Sequence, residues 1–176
     1  MGQPNTGASS WVVRFAPLVR PGGSVLDVAC GSGRHTRFFL DRDHPVTAID
    51  RDIGQPDLLL GAQTVQADLE DGTPWPLPGQ RFAAIVMTNY LWRPLLPTLL
   101  DSLDQGGVLI VETFAEGNER FGRPRNPQFL LGRGELLMAA QGLTIVAFED
   151  GIVEDRAVIQ RICAVGSPGP IPLPTR

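Results

Sequence analysis

The stretch that most restricts the fold of this chain is "SVLDVACGSGRHTRFFL", residues 24–40. Val25, Leu26 and Val28 form a short β-branched run that reads as a strand over 24–29. Gly31 and Gly33 then break it, and 32–43 reads as a helix carrying Phe38, Phe39 and Leu40. Without a Cβ, both glycines accept a positive φ and let a ligand touch the backbone. The unpaired N–H groups at the start of the following helix favour an electron-rich partner. Asp27, just ahead of the turn, limits what that partner is. A pyrophosphate beside a carboxylate costs about 1 kcal/mol or more in a partly buried cleft, whereas a cationic ligand gains from it.

The rest of the chain repeats the alternation. Apolar runs at 45–50, 62–69, 81–89 and 107–114 read as strands. Helices are expected at 9–19, behind a Ser N-cap, at 93–103, closed by Gly106-Gly107, and at 133–142, stopped by Gly142. Residues 53–61 read as a short helix or turn, and 70–79, with three prolines, as a loop. The last two strands, 143–150 and 156–166, are joined by "GIVED". That link is too short for a parallel crossover of ~10 residues or more, so the pair is expected to be antiparallel. Continuously apolar strands separated by helices imply a sheet covered on both faces. The fold class is therefore α/β, a sandwich that is parallel over most of its sheet with an antiparallel C-terminal hairpin. One domain is expected over 1–166, with a proline-rich, disordered tail at 167–176.

Composition excludes several function classes. The 176 residues carry a net charge of −4, which argues against bulk nucleic-acid binding. All fifteen basic residues are arginine, so lysine Schiff-base and P-loop-lysine chemistry are out. Cys30 and Cys163, with His35 and His44, match no disulfide or metal-ligand spacing, and no metal is expected. No apolar run spans a bilayer and no secretory leader pattern opens the chain, so a cytoplasmic location is expected.

"VLDVACGSGRHT" resembles motif I of the class I S-adenosylmethionine-dependent methyltransferases, an acid followed by small residues at alternate positions: Asp27, Ala29, Gly31 and Gly33. Ala29 stands where the family has its first glycine. The resemblance covers roughly residues 10–166 and is nearest to small bacterial enzymes related to tellurite and thiopurine methyltransferases. It implies a Rossmann-like three-layer sandwich with a seven-stranded sheet, and S-adenosyl-L-methionine as cofactor. It further implies that backbone around Ala29 and Gly31 embraces the methionine part and that Asp27 supplies negative potential. Asp50 would accept the ribose hydroxyls, Arg51 lie over the adenine, Asp68 and Leu69 read the adenine edge, and Asn89 stand beside the methyl group. The acceptor would follow the fourth strand, lined by Tyr90, Arg93 and the loop 115–132 with Arg120, Arg123 and Arg125 beside Phe121.

Blander roles stand beside these. Cys30 suits a small filler and His35 a structural role. Trp75 either lies over the adenine or covers the core edge. Glu112 is either an arginine-paired acid or a substrate contact. Tyr90, Glu112 and His35 are the candidates for a base should the acceptor need to lose a proton. The acidic balance and small size favour a small-molecule acceptor. Two other readings remain: a NAD(P)-dependent oxidoreductase, which Thr36 at the third glycine position of that fingerprint and Asp27 disfavour, and a non-catalytic cofactor-binding partner of another enzyme. Oligomeric state is not legible.

Overall fold

The computed structural model describes residues 7–54 and 56–174. The expected domain start at 1–6, position 55 and the end of the tail at 175–176 lie outside the described residues. Seven strands form one sheet: β1 (Val25–Val28), β2 (Val46–Asp50), β3 (Gln63–Gln66), β4 (Phe82–Thr88), β5 (Leu103–Phe114), β6 (Thr144–Val153) and β7 (Ala157–Val165). Their order across the sheet is β3-β2-β1-β4-β5-β7-β6. The first five are parallel, and β7 runs antiparallel to both β5 and β6. The mostly parallel sheet with an antiparallel C-terminal hairpin is thus as expected.

The alternation of side chains explains the layers. On β1, Leu26 and Val28 point to one face and Val25 to the other; on β5, Leu109 and Val111 oppose Val108 and Ile110. One face packs against Leu99 of helix α4 (Leu96–Asp101) and Leu136 of α5 (Glu135–Ala139). The other packs against Trp11, Val12 and Phe15 of α1 (Ser10–Phe15) and Phe39 of α2 (Arg34–Leu40). The short α3 (Pro56–Leu59) contributes Leu59 to a small cluster with Ala48.

Three element boundaries differ from expectation for identifiable reasons. Gly106-Gly107 do not close a helix but lie inside β5, which begins at Leu103, immediately after α4. Phe82 pairs with Leu103 there, and a register shift follows between Phe82 and Ala84. Gly106 has φ of 71°, and a Cβ on Gly107 would stand 2.8 Å from the Asp104 carbonyl oxygen. The glycines therefore serve an irregularity in the strand. β3 stops at Gln66, so Asp68 lies past the strand rather than on its last residue. The loop after β5 is not open: it makes turns of 3-10 helix at Asn118–Arg120 and Pro127–Phe129, and Leu131 bridges back to Ala115. The hairpin after β6 turns on Glu154 and Asp155, with φ of 50° and 52°. Residues 167–174 run without regular structure, with Ile171 packed against the second face and Thr144 Oγ1 donating to the Ser167 carbonyl at 2.6 Å.

Candidate active site

Beyond Val28 the chain turns sharply through three residues of positive φ: Ala29 at 52°, Gly31 at 53° and Gly33 at 81°. Gly33 caps α2, and its amide donates to the Cys30 carbonyl at 2.9 Å. A Cβ on Gly31 would meet nothing within 4 Å, so the turn requires glycine for its φ and leaves bare backbone facing open space. Ala29 holds the same region of φ with a Cβ, a conformation that costs roughly 1–2 kcal/mol.

Two carboxylates hold this turn. Asp50, the last residue of β2, accepts the Gly31 amide on Oδ2 at 2.8 Å and the Asp52 amide on Oδ1 at 3.0 Å. Asp27 lies beneath, 2% exposed, and its Oδ2 accepts the Thr36 hydroxyl at 2.6 Å. Burial pushes its carboxyl up to about 6, against the hydrogen bonds from Thr36 and the charge of Arg34. Asp27 is thus a buried brace and a source of negative potential, and it does not itself line the cavity.

That cavity, about 500 Å³, opens at the carboxyl ends of β1, β2 and β4, where ligands bind in open α/β sheets. It brings together Ala29, Gly31, Asp50, Arg51, Asp68 and Leu69, and, across from them, His35, Asn89 and Tyr90. Asn89 has a positive φ of 55°, so two residues other than glycine at the rim, Ala29 and Asn89, share this uncommon backbone. Gly33 sits behind the turn as the α2 cap.

Other sequence candidates lie elsewhere. Arg93 does not line the cavity. Its guanidinium holds both Glu135 carboxylate oxygens, at 2.6 and 2.9 Å, and the carbonyls of Gln128 and Leu130, each at 2.7 Å. Glu112 accepts the Ser9 hydroxyl at 2.7 Å and pairs with Arg161 at 3.1 Å, so its arginine-paired reading describes it. Arg120, Arg123 and Arg125 are not among the lining residues; Arg120 donates to the Gly117 carbonyl instead. The same loop contributes Phe129. Trp75 and Trp92 line a smaller neighbouring cavity of about 260 Å³ that shares Asp68, Leu69 and Glu70 with the first.

The sequence reading missed Ser32, Arg34, Ala67, Glu70, Thr88 and Phe129 as lining residues. Five of them adjoin a named candidate, so their signal was proximity to a motif; Phe129 had none beyond the length of its loop. Burial, with Asp27 and Asp50 adding to it, pushes the Cys30 thiol up to about 12, which leaves it unreactive. Burial and the carboxylate of Glu70 hold the Tyr90 hydroxyl well above its usual range, so it stays protonated. Among the described residues no group of three or more His, Cys, Asp or Glu is placed to hold a metal ion, and no helix is long and apolar enough to cross a membrane.

Residues 25–107 match the family described as a methyltransferase domain. TehB from Haemophilus influenzae superposes with a TM-score of 0.72 at 17% identity, over 90% of this chain and 62% of that one. The chain thus spans under two thirds of the TehB length. The 1,6-didemethyltoxoflavin-N1-methyltransferase of Burkholderia thailandensis, crystallised with bound 1,6-didemethyltoxoflavin and S-adenosylhomocysteine, gives 0.65 at 20% identity over 90% and 76%. A TehB-like S-adenosylmethionine-dependent methyltransferase from Corynebacterium glutamicum gives 0.61 at 19% over 88% and 85%. No curated protein matches the chain in sequence. Residues 25–107, just under half of the chain, thus resemble a methyltransferase domain. The strand order gives the α/β fold that these solved methyltransferases share.

Proposed function

We propose that this protein is a cytoplasmic, single-domain enzyme of residues 1–166 that methylates a small molecule. The observation that carries the reading is the shared cavity of Asp50 and the bare turn at Gly31, with Asp68 and Leu69 along the same wall. These residues fit the family's cofactor. Asp50 has lone pairs to spare for ribose hydroxyls, and charge-assisted bonds of that kind contribute ~1.5–3 kcal/mol. Asp68 and Leu69 would meet the adenine edge and Arg51 its face. Backbone at Ala29 and Gly31 would take the methionine part, under the negative potential of Asp27. Asn89 would stand beside the methyl group.

When bound, the cofactor supplies a methyl group on a sulfonium, a leaving group that needs no further activation. The chain's task is then alignment, and holding two reactants in line contributes ~7–11 kcal/mol to catalysis. Tyr90 and Phe129 wall the space where an acceptor would enter. Of the bases the sequence offered, Tyr90 is held protonated and Glu112 is spent on Ser9 and Arg161, while Asp68 and Glu70 stand as carboxylates on the cavity wall.

A methyl-labelled cofactor incubated with the protein and a metabolite extract tests this. Label in a small-molecule fraction is the expected outcome. Tight cofactor binding without transfer to any fraction would leave only a cofactor-binding role. Binding of NAD(H) in place of S-adenosylhomocysteine would make the chain an oxidoreductase.

A further inference from the structure

The cavity is not electrically uniform. Its side at the ends of β2 and β3 carries Asp50, Asp68 and Glu70, with Arg51 exposed among them. Its other side, at α2 and the end of β4, presents Arg34, His35, Thr88 and Asn89 and no carboxylate among the lining residues. The Arg34 guanidinium makes no ion pair or hydrogen bond among the described residues. Asp27 feels its charge but is buried beneath the turn and bonded to Thr36.

His35 is 2% exposed, and its ring is fixed. The Ser9 amide donates to Nε2 at 3.1 Å. A nitrogen that accepts carries no proton, so the neutral ring bears its hydrogen on Nδ1, a tautomer assigned from the hydrogen-bond network. Nδ1 lies 3.4 Å from Thr88 Oγ1, long enough that a better acceptor in the cavity would capture the N–H. Ser9 is itself anchored by Glu112, and Glu112 by Arg161. Burial, then the Arg34 charge, lowers the imidazole to about 4, so it is uncharged at neutral pH.

We propose that Arg34 and the Nδ1–H of His35 together receive the carboxylate of the cofactor's amino-acid tail, Arg34 as the charge and His35 as a fixed neutral donor that cannot act as a base. The inference rests on the cofactor reading above. With the ribose at Asp50, the tail is directed away from the acidic side, where a carboxylate would be repelled, toward the side where Arg34 and the His35 N–H stand with no carboxylate among the lining residues. Ser9 is then a positioning residue that holds the imidazole in the useful tautomer.

The test compares two nucleosides by calorimetry: S-adenosylhomocysteine, and 5′-methylthioadenosine, which lacks the amino-acid tail. Arg34→Met and His35→Phe are each expected to weaken the first about tenfold or more and to leave the second unchanged. Equal losses for both ligands, or no loss for S-adenosylhomocysteine, would overturn the subsite. If His35→Phe does not fold, ring-nitrogen NMR of the wild type decides. The Nδ1 proton is expected to move downfield with S-adenosylhomocysteine and stay put with 5′-methylthioadenosine. A proton found on Nε2, or identical shifts with both, would refute the assignment. A wild type that binds 5′-methylthioadenosine but gains nothing from the tail defeats the subsite alone. One that binds neither defeats the cofactor reading with it.

Discussion

Asp50 Oδ2 accepts the Gly31 amide at 2.8 Å, which ties the end of β2 to the turn after β1. The carboxylate that would clasp a ribose therefore also sets the shape of the loop beside it. Gly31 N–H is taken up by Asp50 and so is not available to a phosphate, a further reason why a dinucleotide suits this turn poorly.

Asp50→Ala is accordingly expected to do two things. Affinity for S-adenosylhomocysteine should fall by about 1.5–3 kcal/mol, and the midpoint of thermal unfolding should drop by the equivalent of ~1 kcal/mol, because the Gly31 and Asp52 amides lose their acceptor. An unaltered dissociation constant would remove Asp50 from the binding site.

The buried Asp27 gives the fold a pH dependence of definite sign. Its carboxyl titrates near 6 in the folded chain, against 3.8 ordinarily, because burial disfavours the charge. The folded state therefore holds the proton more tightly than the unfolded one. The stabilisation this confers is complete below pH 4 and lost as pH rises through 6. Melting curves of wild type and Asp27→Asn should show the variant more stable at pH 7.5 and the difference shrinking toward pH 4.5. A difference independent of pH would mean that Asp27 stays ionised throughout. Cofactor affinity should also decline below pH 6, where the negative potential under the turn is neutralised.

Arg93 is a clamp rather than a substrate contact. It joins the turn after β4 to α5 and to the segment that carries Phe129. Because the ion pair is part-exposed, Arg93→Ala should cost only about 1–2 kcal/mol of stability. Faster amide exchange is expected at Leu130 and Leu131. Loss of activity with unchanged exchange there would return Arg93 to the substrate side.

Ala29 occupies a left-handed conformation that glycine adopts freely. Ala29→Gly relieves strain but adds freedom to the unfolded chain, so a net gain of about 0.5–1 kcal/mol is expected in urea unfolding. A destabilised variant would show that the methyl group packs more favourably than its backbone is strained.

The architecture was legible because strand and helix signals agreed along the chain: β-branched runs, glycine stops and a link too short to cross over. That Asp50, Asp68, Asn89 and the glycine turn gather around one cavity was legible because parallel strands deliver their carboxyl ends to one edge. The acceptor side was not. Arg93, and Arg120, Arg123 and Arg125 in the long loop, were expected to line the acceptor, but charge in the sequence does not say which way a side chain faces. The bridge from Leu131 to Ala115 and the Arg93–Glu135 pair fold that loop against the sheet and present Phe129 instead. Likewise, the Ser9–His35 contact joins positions 26 apart through tertiary packing that no local pattern encodes.

The strand of this sheet that comes latest in the chain does not sit at the sheet's rim. β7 is inserted between β5 and β6, so β6 leaves the ribosome before the strand that will attach it exists. A nascent chain ending short of Ala157 has its five parallel strands and its glycine turn in hand, while the apolar flank of β5 lies open to any passing strand. For this protein, premature termination would therefore produce sticky, aggregating fragments rather than harmless partial enzymes.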